Sequence, residues 1–169
     1  REEVRTMREV EIKALLVDPV HNSPVILLKD RESDMVVPVW IGNPEATAIA
    51  IELQNKTFPR PLTHDLLKET IIALGGELER VVIDHIQDGT YYATIFIQDS
   101  EGNTQELDAR PSDSVALALR MSSPIYISEE VFEQSAIELP LAEDEEEREE
   151  FQEFVEEKMD LAEFKRLIQ

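Results

Sequence analysis

The spacing of apolar residues divides the first 138 positions into short segments. Residues 8–17 begin in alternation and predict a strand, as do Val25–Lys29 and Val36–Ile41, the last two separated by the polar turn Asp30–Asp34. Gly42-Asn43-Pro44-Glu45 then predicts a helix start, with Asn43 as N-cap, Pro44 at the first helical position and Glu45 on the positive end of the dipole. That helix runs to about Asn55 and is mostly apolar, which predicts burial. Pro59 and Pro61 break the chain, and a second helix follows from Thr63, its expected N-cap, to Leu74, stopped by Gly75-Gly76. Strands come next at Glu77–Ile86, Tyr91–Gln98 and Gln105–Ala109. Asp88-Gly89 joins the first two as a hairpin, and Ser100-Glu101-Gly102-Asn103 turns between the second and third. Pro111 opens a third helix through Met121, Ile125–Ile127 is a short strand, and Ser128 caps a short helix, Glu129–Gln134.

The order strand-strand-strand-helix thus occurs twice. A constant offset of 68 without gaps lays the second half on the first: Ala48-Ile49-Ala50-Ile51 falls on Ala116-Leu117-Ala118-Leu119, and Glu45 on Asp113. Two β3α units sharing one sheet are the expectation. The segment around Arg60 has no counterpart under this offset and reads as an insertion between the units.

Composition narrows the function classes. The 169 residues fit one domain with a tail, and we expect a domain over 1–139 and an acidic helical tail over 140–169. Ten of the fifteen residues 143–157 are acidic, with Phe151, Phe154, Val155, Leu161, Phe164 and Leu167 at amphipathic spacing. The tail is expected to pack locally or to dock a protein partner. No apolar run reaches the ~18 residues of a membrane helix, so no membrane contact is expected. With no cysteine, disulfides and thiol catalysis are excluded and a cytoplasmic protein is expected. The net charge of −21 argues against tight duplex binding, which draws its affinity from Lys and Arg on phosphate. Walker, dinucleotide-binding, zincin and nucleophile-elbow patterns are all missing.

Candidate chemistry concentrates at two Arg-Pro corners, Arg60-Pro61-Leu62-Thr63-His64-Asp65 and Asp108-Ala109-Arg110-Pro111-Ser112-Asp113. Each precedes a helix, where free N–H groups and the dipole favour anions. Asp65, Asp108 and Asp113 are the candidate metal ligands, for hard Mg²⁺ or Mn²⁺. Arg60 and Arg110 are the candidate phosphate clamps, and His64 the general acid or base. Asp65, Asp108 and Asp113 join His64 as the candidate catalytic set. The same residues also have structural uses: carboxylates in first helical turns stabilise the dipole, and Arg60 or Arg110 can pair with Asp65, Asp108 or Asp113 to lock a corner. His21 and His85 are expected at the surface or on a strand. Trp40, Tyr91 and Tyr92 can stack on bases, although strand aromatics more often belong to the core.

Trp40-Ile41-Gly42 with Glu45-Ala46, Arg60-Pro61-Leu62-Thr63-His64-Asp65-Leu66, Asp88-Gly89-Thr90-Tyr91-Tyr92-Ala93 and Asp108-Ala109-Arg110-Pro111-Ser112-Asp113 resemble the bifunctional nuclease domain family, in its order and spacing, across residues 8–138. The resemblance implies an α+β fold, with repeated β3α units around one strongly curved mixed sheet. It also implies hydrolysis of DNA and RNA. The leading expectation is a metal-assisted nuclease acting on single-stranded or flexible nucleic acid. The competing expectation is a non-catalytic acidic binding module. In either case a homo-oligomer, dimer or trimer, is expected from the apolar helices and the open sheet edges.

Overall fold

The computed structural model describes residues 7–138; the acidic segment 140–169 and its expected helices lie outside the described residues. The strands are β1 (Met7–Asp18), β2 (Ser23–Asp30), β3 (Met35–Trp40), β4 (Glu77–Gln87), β5 (Thr90–Gln98), β6 (Thr104–Ala109), β7 (Ile125–Ser128) and β8 (Ile137–Glu138). The helices are α1 (Asn43–Leu53), α2 (Thr63–Ala73), α3 (Pro111–Met121) and α4 (Glu129–Ser135). The fold is α+β, built on one mixed sheet that does not close, ordered β6-β5-β4-β7-β1-β2-β3-β8. Only the two-residue β8 lacks a counterpart among the elements that apolar spacing predicts, because so short a run carries no period.

The offset of 68 places α1 on α3 residue for residue, β2 on β5 and β3 on β6 to within one position. Each unit is an antiparallel meander followed by a helix. Between them lies β7, parallel to β4 and antiparallel to β1, so β1 and β4 run in opposite directions, as two copies related by a two-fold would. The hairpin at Asp88-Gly89 has both residues at positive φ, 52° and 78°, the type I′ geometry that matches the twist of its strands.

The sheet curls strongly. β3 and β6 are six strand spacings apart in the order, about 29 Å if flat. Yet α1 and α3, which follow them directly, pack on one another and join through an ion pair at their first turns. Twist accumulated from strand to strand brings the two outer meanders round to face each other. The enclosed core runs through Ile26, Leu28, Val37, Val39, Ile49, Val81, Ile83, Val115, Leu117 and Ile127. Each such side chain stabilises the fold by roughly 1.5–3 kcal/mol relative to exposure.

Helix starts differ by one residue from the sequence reading. Gly42, not Asn43, is the N-cap of α1, because Gly42 O accepts the first helical bond from Ala46 N at 2.9 Å. Leu62, not Thr63, caps α2, with Leu66 N donating to Leu62 O at 2.9 Å. Ser128 does cap α4, its Oγ accepting from Val131 N.

Candidate active site

Counted from their caps, α1, α2 and α3 each carry an acid at the third helical position: Glu45, Asp65 and Asp113. Acids are favoured there by the dipole alone. Here each is also gripped by an arginine from α3. Arg110, the cap residue of α3, places Nη2 2.9 Å from Glu45 Oε1 and 2.8 Å from Asp113 Oδ2. The two acids that the offset of 68 makes equivalent therefore share one guanidinium. The side chain of Arg110 is 69% exposed, so the grouping is a solvated one whose cation can still meet a ligand.

Arg120, in the last turn of α3, holds the third acid: its Nε donates to Asp65 Oδ1 at 2.8 Å. Its Nη1 and Nη2 donate to the carbonyls of Ala116 and Ala48, at 2.9 and 3.0 Å. Those two carbonyls are themselves equivalent under the offset, so Arg120 sits at the crossing of α1 and α3, near the axis of the duplication. Only 2% of its side chain is exposed. Burial by itself would raise the Asp65 carboxyl; the Leu62 N–H on Oδ2 and Arg120 on Oδ1 outweigh it and hold the group below its ordinary value.

The two Arg-Pro corners meet through His64, whose Nε2 lies 2.9 Å from Asp113 Oδ1. A carboxylate only accepts, so the proton of this contact sits on Nε2 and leaves Nδ1 as the lone-pair nitrogen of the neutral ring. Nδ1 makes no hydrogen bond among the described residues, nor is it sealed from solvent, although only 11% of the side chain is exposed. The neighbouring residues His64 and Asp65 thus reach opposite ends of α3, fixing α2 across its middle. Asp113 Oδ2 also accepts from Arg110 Nε at 2.8 Å, and the carboxylate raises the Arg110 guanidinium above its ordinary value, with Glu45 adding to the effect.

His64, Asp113 and Arg110 are therefore in direct contact. Asp65 lies one residue away, engaged with Arg120. Arg60 and Asp108 are both exposed, two residues ahead of the caps of α2 and α3, and neither makes an ion pair or side-chain hydrogen bond among the described residues. Glu45 and Arg120 complete the arrangement without having been singled out as site residues. The signal for Arg120 was present, since it is a cation four residues beyond Ala116 on the apolar stripe of α3.

The donor set does not fit a divalent-metal cage. Both oxygens of Asp65 and of Asp113 are occupied by cationic or N–H donors, and among the described residues no three His, Asp or Glu side chains converge on a common point. A hard ion would need several free oxygens there. The chemistry present is that of an imidazole held by a carboxylate that also grips one arginine, Arg110.

Among aromatics, Trp40 and Tyr92 lie at the surface rather than in the core, and Tyr91 is half-buried against it. β3 ends at Trp40, whose ring is half exposed.

The sequence profile of the bifunctional nuclease domain matches residues 26–140. An uncharacterised protein of Mycobacterium tuberculosis is 44% identical over 140 residues, covering 83% of each chain. Bifunctional nuclease 1 of Oryza sativa subsp. japonica is 25% identical over 118 residues, which are 69% of this chain and 36% of that one. Bifunctional nuclease 1 of Arabidopsis thaliana is 26% identical over 109 residues, 62% of this chain and 33% of its own length. The chain thus spans about a third of the plant proteins. It belongs to the bifunctional nuclease domain family.

Proposed function

We propose, with that family membership as the premise, that the chain hydrolyses phosphodiester bonds of single-stranded or flexible nucleic acid at the corner where α1, α2 and α3 begin. The observation that carries the reading is the 2.9 Å hydrogen bond between His64 and Asp113. It orients the ring so that Nδ1 is free to take a proton from a water molecule. The water oxygen attacks phosphorus, the bond to the leaving oxygen breaks, that oxygen takes a proton from solvent, and Asp113 stabilises the imidazolium that forms on His64 until it returns its proton to solvent. Arg110, half-released into solvent, and Arg60 face the charge growing on the phosphate oxygens. The acidic surface disfavours duplex DNA, so the substrate must be a strand whose phosphates can reach into the corner.

The test is hydrolysis of single-stranded DNA and RNA by the purified chain and by His64→Ala and Asp113→Asn. Arms with Mg²⁺, with Mn²⁺ and with chelator read metal dependence separately. Activity equal in wild type and both variants refutes the reading.

A second reading, a non-catalytic oligomeric module, is favoured by the exposed apolar side chains of α2: Leu66, Leu67, Ile72 and Leu74. Light scattering that returns a monomer removes it.

A further inference from the structure

We propose that Trp40 is a base-stacking platform, binding one nucleobase of a single strand whose phosphate lies at the His64–Asp113 pair. Three features carry it. Trp40 is 50% exposed, an unusual state for so large an aromatic. Its indole is nonetheless fixed: Nε1 donates to Asp18 Oδ2 at 3.0 Å, and that oxygen is shared with His21 Nδ1 at 2.6 Å while Val20 N donates to Asp18 Oδ1 at 2.9 Å. Both carboxylate oxygens are thus filled, and the ring is held by its edge. Among the described residues no second aromatic and no cation stacks on it, so the exposed half is unused.

Position gives the ligand class. Trp40 ends β3, and five residues later Glu45 joins Arg110, which joins Asp113 and so His64. Five residues of chain span at most about 17 Å, and the contacts Glu45–Arg110, Arg110–Asp113 and Asp113–His64, at 2.9, 2.8 and 2.9 Å, carry the path on to the pair. A base on Trp40 and a phosphate at the pair are therefore within reach of one strand of several nucleotides. The net charge of −21 cannot draw a polyanion in by its field, so affinity has to come from a contact that does not depend on phosphate. Stacking supplies about 1–3 kcal/mol per base and tolerates any sequence. The pseudo-equivalent position in the second unit is Asp108, so the duplication carries the platform on one side only. The inference takes its ligand class from the nuclease reading and fails separately from it.

Trp40 is the sole tryptophan, so intrinsic fluorescence reports on this position alone. The full chain is titrated with an eight-nucleotide phosphorothioate thymidylate, which resists hydrolysis, and with an abasic oligomer of the same length. Saturable quenching by the first, a shallow dependence on salt and no quenching by the second are expected. Anisotropy of a labelled oligomer should show binding weakened about 5- to 150-fold in Trp40→Ala and largely restored in Trp40→Phe, with circular dichroism reporting that both variants are folded. Quenching without cleavage in the wild type keeps the platform and removes the nuclease; cleavage without quenching does the reverse. Equal quenching by the abasic oligomer overturns the proposal, as does a concentration-dependent blue shift in the absence of oligomer, which assigns Trp40 to a contact between copies.

Discussion

Arg120 and Asp65 form an ion pair at 2.8 Å between a guanidinium with 2% of its side chain exposed and a carboxylate in the first turn of the neighbouring helix. Its Nη1 and Nη2 donate to Ala116 O and Ala48 O, so a single side chain ties α1, α2 and α3 together. A buried cation with all three nitrogens engaged fixes one packing of the three helices, because any slide leaves it unpaired.

Asp65→Ala is therefore expected to cost about 1.5–3 kcal/mol, measured as a shift in denaturant midpoint, because a buried guanidinium loses a counter-charge that is itself 37% exposed and partly screened. Arg120→Ala should cost about 3 kcal/mol, through lost packing and the loss of its charge-assisted bond to Asp65. Because the Asp65 carboxyl titrates below its ordinary value when folded, its contribution is present above the unfolded value and is lost as pH falls through the folded one. Wild-type stability should thus decline on acidification below about pH 4, and Asp65→Ala should flatten part of that decline. An identical pH profile in both proteins contradicts the pairing.

At the corner, His64→Ala is expected to reduce hydrolysis about 10²–10⁴-fold, the contribution of a positioned acid–base group. Asp113→Asn keeps the shape but no longer stabilises an imidazolium, and should also shift the acid limb of the pH–rate profile. A rate change in Asp113→Asn that is uniform across pH contradicts that role.

Arg110 separates function from stability. Its guanidinium is largely solvent-exposed although Glu45 and Asp113 are 13% and 27% exposed, and pairs with one partner in solvent contribute about 1 kcal/mol. Arg110→Ala is expected to leave the denaturant midpoint nearly unchanged while lowering kcat/KM at least about tenfold, since two acids then face the phosphate unscreened. Arg110→Lys should recover only part of the loss, a point charge replacing a fork. A large fall in stability with unchanged kcat/KM would make the residue structural.

The Asp18 carboxyl is held well below the ordinary value, first by His21, then by the Trp40 indole and the Val20 N–H. The group is thus still charged where free carboxylates protonate, and its hold on Trp40 disappears only as pH falls through the depressed value. Tryptophan emission should stay flat through about pH 4, near the ordinary carboxylate value, while circular dichroism follows the fold. A sigmoidal change centred near pH 4 without loss of fold refutes the anchor.

The candidate site was legible in part. His64, Asp113 and Arg110 carry their chemistry in their residue types and in their places at helix starts, so spacing alone selects them. Glu45 was passed over as dipole compensation, although the offset of 68 named Asp113 as its equivalent. Trp40 read as core because it ends an apolar strand, and only the packing shows that half of it is exposed among the described residues.

What the sequence determined by itself was local and repetitive: the strands, three helices each with an acid in the first turn, and the duplication. These follow from nearest-neighbour physics, from side-chain period, proline and glycine geometry and end capping, all of which act within a few residues. What only the tertiary structure decided was that His64 meets Asp113, 49 positions away, and that Arg110 draws Glu45 to the same corner. Those contacts depend on the curl of an eight-stranded sheet. Curl is a sum of small twists over many strands, set by how the whole core packs rather than by any one segment.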